Sequence, residues 1–205
     1  MKPKYALAVI LTAWVAIVVA ISFAGGFQTS SGPPVRVVIA VAVPLVLFAA
    51  GIRMSQRIRR IILELDPRMV LAAQLWRVAG AAFLFGWAAG ELPAEFAVPA
   101  GIGDIVTGVV AASALAALLH GKLKRSGLWA FTALGVGDFV VAIVTGVVTR
   151  PERLDLLPWV LFPTLAVPFF AILHILSLLQ LTKGRLEREP ELNASEFAPA
   201  AVSSV

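Results

Sequence analysis

Five polar side chains stand inside otherwise apolar stretches of the sequence: Gln74, Arg77, Asp104, Asp138 and His174. Two of them belong to near-repeats. GIGDIVTGVV runs from Gly101 to Val110, and GVGDFVVAIVTGVV from Gly135 to Val148. A carboxylate in such a run has three uses. It can pair with a cation on another segment, exchange that partner for a proton or a free cation, or join a second carboxylate to activate water. Arg77 is the cation available for the first two uses, with Gln74 one helical turn away on its face. An Asp138–Arg77 pair is read either as a packing device or as a switch, in which the carboxylate takes Arg77 in one state and a proton or cation in another.

The two copies share Gly-x-Gly-Asp and Val-Thr-Gly-Val-Val, and the second holds about one extra helical turn between them. Asp104 and Thr107 therefore share a helix face, as do Asp138 and Thr145, and Thr149 continues the second face. The glycines allow close helix approach. Oppositely directed copies would form an inverted repeat, a transporter feature whose sites lie near the bilayer midplane.

Gly-x-Gly-Asp inside an apolar run also resembles the motif of the intramembrane aspartyl proteases, the presenilin-like proteases and prepilin peptidases. The resemblance covers four residues per copy; the chain has no Pro-Ala-Leu and no Tyr-Asp sequence. It implies a dyad of Asp104 and Asp138 on neighbouring antiparallel helices. Depth counts against that dyad. Measured from the connector near Lys124, the two aspartates differ by roughly 9 Å at ~1.5 Å per residue, whereas a dyad needs carboxyls about 3 Å apart.

The elements that must carry these residues are membrane helices. The chain has 205 residues, 60% of them hydrophobic and 14% charged, with a mean hydropathy of +0.92. A soluble domain is usually about 25% charged. Six candidate spans cover about 5–25, 36–52, 69–90, 98–119, 128–149 and 158–182. The first has a longer apolar core than a cleaved signal peptide. The connectors alternate. Lys2 and Lys4, then Arg53 to Arg68, then Lys122 to Arg125, then Lys183 to Arg188 are basic; FQTSSGPPV is uncharged, ELPAE acidic and RPERLDLLP mixed. By the positive-inside rule both termini are cytoplasmic. The fold expectation is an all-α, polytopic membrane protein with a domain over 1–183, of bacterial inner-membrane type. A disordered cytoplasmic tail follows over 184–205, where Asn193-Ala194-Ser195 has no secretory context.

Between spans two and three, RMSQRIRRIILELDPR (53–68) places Ile58, Ile61, Ile62 and Leu65 on one helical face. It predicts an interfacial amphipathic helix whose Arg57, Arg59 and Arg60 meet anionic lipid headgroups. The net charge of +5 is spread among connectors, so nucleic acid is not an expected partner. No cysteine is present, which excludes thiol chemistry. The two histidines, His120 and His174, are too few for a metal site and differ in depth by roughly 12 Å at ~1.5 Å per residue, too far apart for a haem pair. No cofactor is expected.

Depth places Arg77, Asp138 and His174 near one level. Asp104 falls nearer the start of span four, after Pro99, where it reads as an N-cap. His174 reads as a packed histidine beside Ser177. In span six, Pro158 would start the helix, while Pro163 and Pro168 would break it and free carbonyls at Trp159 and Thr164; Pro44 would kink span two. The leading expectation is a small transporter or channel-like protein. It would use a proton-linked Asp138–Arg77 pair lined by Gln74, Thr145, His174 and Asp104. A subunit or assembly factor of a larger membrane complex, or a homo-oligomer, is the rival from another class, and the protease is the third.

Overall fold

The computed structural model describes residues 3–29 and 34–182, so the expected tail lies outside the described residues. The described chain is all-helical. Its helices are α1 (Pro3–Phe23), α2 (Val35–Met54), α3 (Gln56–Leu63), α4 (Pro67–Ala88), α5 (Ala94–Leu119), α6 (Arg125–Thr149) and α7 (Phe162–Thr182). Five of them, α2 and α4 to α7, are long and apolar enough to cross a membrane; α1 carries a shorter described apolar stretch, Val9–Phe23. Large apolar side chains point outward on all five, among them Leu47, Phe85, Val109, Val148 and Ile175. In water such a surface would drive aggregation; in lipid it is the solvated face. The protein is membrane-embedded.

Local chemistry sets the helix boundaries. Ser55 caps α3 by accepting from Ile58 N at 3.2 Å, and Asp66 caps α4 by accepting from Arg68 N at 2.8 Å, with Pro67 in the first turn. The expected helix over 53–68 is shorter, Gln56–Leu63, because Arg53 and Met54 end α2 and Pro67 and Arg68 open α4. Its Ile62 packs with Val70, Phe170 and Leu173, while Arg57, Arg59 and Arg60 remain exposed. Part of its apolar face therefore meets protein.

Two boundaries differ from the sequence expectation. Helix α5 begins at Ala94, directly after Pro93, so Pro99 lies inside it and Asp104 about three turns in. Asp104 is not an N-cap. Helix α7 begins at Phe162, not at Pro158. Residues 151–160 form successive turns, such as Leu154 N to Pro151 O at 3.0 Å and Val160 N to Leu156 O at 2.8 Å. The Trp159 carbonyl, expected to be freed by Pro163, accepts from Phe162 N at 3.1 Å instead. Helix α7 opens with a π-type turn over Phe162–Ala166, which absorbs Pro163.

The helices are stapled at both ends. At one end Thr29 N donates to Asp155 Oδ2 at 2.7 Å, and Trp159 Nε1 donates to Glu91 Oε2 at 2.9 Å. Three connectors meet there. At the other end Gln180 Nε2 donates to Leu65 O at 2.9 Å. Helix α5 is central, packed between α4 and α6. Helix α7 closes the bundle against α6, α4 and α2.

Candidate functional site

The middle of α4 is not α-helical. Leu75–Gly80 winds as a 3-10 helix, and Arg77 sits in it, fully buried. A mid-helix 3-10 segment often marks a functional or strained site. Here it delivers a guanidinium to the centre of the bundle.

Both aspartates meet that guanidinium. Arg77 Nε donates to Asp104 Oδ1 at 2.9 Å, and Nη2 reaches the same oxygen at 2.8 Å. Nη2 also donates to Asp138 Oδ2 in a close ion pair. Nη1 lies 3.3 Å from His174 Nε2. An arginine nitrogen can only donate, so His174 Nε2 accepts and the ring is held neutral with its proton on Nδ1. The Phe139 ring lies over the guanidinium, 4.2 Å from Cζ to centroid, and Phe170 flanks it at 5.6 Å. The expected offset in depth between Asp104 and Asp138 is absent, because α5 ends at Leu119 and α6 begins at Arg125, which puts Asp104 15 residues (119 − 104) and Asp138 13 residues (138 − 125) from the shared connector.

Glycines make room for this cluster. A side chain at Gly103 would collide with the Asp138 carboxylate, one at Gly80 with Asp104, and one at Gly135 with the His174 ring. The first Gly-x-Gly-Asp copy thus supplies Asp104 and the space for Asp138. The second supplies Asp138 and the space for His174. Gly137, the partner of Gly103 in the repeat, has nothing near it.

A buried polar layer lies one to two turns further toward the Gln180 end. Gln74 precedes Arg77 by one turn and Thr107 follows Asp104 by one turn; α4 and α5 are antiparallel, so both offsets point the same way. Thr132 lies on α6 in the same direction. The Gln74 amide, both threonine hydroxyls and His174 Nδ1 are buried and find no hydrogen-bond partner among the described residues. Such groups normally bind ordered water.

Toward the other end, a cavity of about 700 Å³ reaches the cluster. Its walls are mainly apolar, with Phe83, Phe96, Phe162 and Phe170 among them. Its floor includes Asp104 and Phe139, and its rim includes Arg150, Glu152 and Asp155. The Asp104 side chain is 18% exposed, against 6% for Asp138. Asp104 is therefore the cavity-facing carboxylate.

Residues 34–182 match a domain of unknown function, DUF8737. The chain belongs to that family. The DUF8737 unit spans α2 to α7, so the whole cluster lies within it, as does the cavity lining apart from Thr29, and α1 stands before it. No curated protein and no solved structure matches the chain.

Other expected residues sit elsewhere in the DUF8737 bundle. Thr145 turns its hydroxyl back onto Val141 O at 2.8 Å and stays outside the cluster, because an intrahelical acceptor four residues back satisfies it. Ser177 donates to Leu173 O at 3.0 Å rather than to His174. His120 ends α5 at an exposed position, with Nδ1 2.7 Å from Ala116 O. Phe139, Phe170, Thr132 and Gly80 join the site beyond the residues expected from the sequence. The three-residue rhythm Thr132–Gly135–Asp138 was a readable sign of one face; the arginine's aromatic contacts had none.

Chemically, the cluster holds two carboxylates on one guanidinium beside a neutral imidazole. Its formal charge is −1. A dyad of the aspartyl-protease kind holds a proton between its carboxyls. Here an arginine takes that place.

Proposed function

We propose that this chain is a small six-span transporter or channel-like protein of the bacterial cytoplasmic membrane, working through the Asp104–Arg77–Asp138 cluster. One observation carries the reading: a buried arginine shared by two carboxylates at the floor of a cavity. One guanidinium neutralises one carboxylate. The second needs a further cation, because an uncompensated charge is costly at this depth. A proton or a free cation arriving through the cavity meets that need at Asp104. Arg77 can then shift its weight from Asp104 to Asp138, which gives the cluster two states. On the opposite side, Gln74, Thr107, Thr132 and His174 Nδ1 supply a hydratable path for proton release.

The orientation follows from the connectors. The basic ones, including α3 with Arg57, Arg59 and Arg60, face the cytoplasm, where α3 lies against anionic headgroups. The acidic and uncharged connectors, and the cavity mouth with them, face outward.

The test is proton movement in liposomes. Reconstituted protein with an entrapped pH indicator is exposed to a potassium diffusion potential, negative inside. Wild type acidifies the lumen faster than empty liposomes, and Asp138→Asn does not. Equal rates for the two proteins at every pH would overturn the proposal. An assembly role would instead show as lost co-purifying partners in Asp138→Asn.

A further inference from the structure

The charge around the cavity runs against that of the chain. The whole sequence carries +5. The ionisable groups lining the cavity are Asp104, Arg150, Glu152 and Asp155, one positive and three negative, or −2. Counting Arg77 and Asp138 behind the floor leaves that sum unchanged. A cleft of net negative charge with low-dielectric walls concentrates cations. It repels anions and favours cations over neutral guests of the same shape.

The walls select further. A small hydrated metal ion would gain nothing from phenylalanine rings and would lose its water. A cation with an apolar body gains both ring contact and cation–π attraction. Both bonds from Arg77 fall on Asp104 Oδ1, and a carboxylate has acceptor positions beyond that oxygen, on Oδ2. About 700 Å³ lies within the range of drug-sized ligand pockets, ~300–1,000 Å³.

We propose that the cavity binds a water-borne amphipathic organic monocation. Its charged head sits on Asp104 and its apolar body lies among Phe83, Phe96, Phe162 and Phe170. The inference rests on the reading of the cluster as one that changes partners, and it names the class of cation that enters.

Two probes of equal size and shape and opposite charge, tetraphenylphosphonium and tetraphenylborate, test it directly. Calorimetric titration of the full chain in maltoside micelles should show one saturable tetraphenylphosphonium site and none for tetraphenylborate. Asp104→Asn should weaken tetraphenylphosphonium tenfold or more. Ala142→Phe, which fills the cavity from α6, should weaken it similarly without touching the cluster. Equal binding of the two ions would overturn the proposal, as would tetraphenylphosphonium binding unchanged in Asp104→Asn. Selective binding without proton movement in liposomes would uphold this inference and remove the transport reading. Proton movement without discrimination between the two ions would do the reverse.

Discussion

The two Gly-x-Gly-Asp copies are the same four-letter motif put to different uses. On α5, Gly103 lies under the Asp138 carboxylate and Asp104 faces the cavity. On α6, Gly135 lies under His174, Gly137 faces open space, and Asp138 is turned inward, 6% exposed against 18% for Asp104. The copies meet where Gly103 lies under Asp138, and Arg77 bridges their two carboxylates. The difference shows that a repeated motif need not mean a repeated site. One copy presents its carboxylate to the cavity; the other turns its carboxylate inward onto the same guanidinium.

Removing the shared partner should break the comparison most severely. Arg77→Gln leaves two buried like charges unpaired, and loss of one member of a buried pair typically costs about 3–5 kcal/mol. Unfolding in mixed micelles should show a loss of that order. Removal of one carboxylate is a different matter. Asp104→Asn and Asp138→Asn each leave a neutral pair with Arg77, so either should melt close to wild type. A loss for either as large as that of Arg77→Gln would refute the charge count.

The glycines sharpen the contrast. Gly103→Ala drives a methyl into the Asp138 carboxylate, and overpacking of this kind costs about 1–3 kcal/mol. Gly137→Ala meets nothing and should be neutral, or stabilising by up to ~0.5–1 kcal/mol through helix propensity. Matching losses at the two positions in thermal unfolding would contradict the asymmetry. The smallest effect belongs to Thr145→Val. Its hydroxyl bonds only within its own helix, so proton movement in liposomes should not change.

Much of the bundle is legible in the sequence because apolar runs of about 20 residues have few alternatives in a bilayer. The long runs of α2, α4, α5 and α6 are of this kind, and the α3 arginine face is legible from its helical spacing. The start of α5 is less legible. Pro93 and Pro99 both offer a first turn, and choosing the later one moves Asp104 out of the cluster and into a cap. The start of α7 fails similarly, since three prolines within a short stretch leave local propensity undecided. Within the site, charge makes Arg77, Asp104 and Asp138 conspicuous, because an ionisable group in a span needs a partner. The identity of the partner is a matter of depth, and depth inherits any error in where the helices meet their connector, here Leu119 and Arg125. Thr145 misled for another reason: helical spacing places it on the Asp138 face, but a threonine hydroxyl can satisfy itself on the preceding turn. The 3-10 winding around Arg77 and the phenylalanines that flank it come from packing and have no local sign.

The central claim is that one arginine faces two carboxylates, so that one of them must take an exchangeable proton or cation. Infrared spectra of the lipid-embedded protein, titrated from acid to alkaline pH without organic cations, test it most directly. Wild type should show the C=O stretch of a protonated buried carboxyl that disappears as pH rises. Asp104→Asn and Asp138→Asn should both lack it, because the remaining aspartate is fully paired with Arg77. A wild-type spectrum without that band at any pH, or the same band persisting in both variants, would contradict the account.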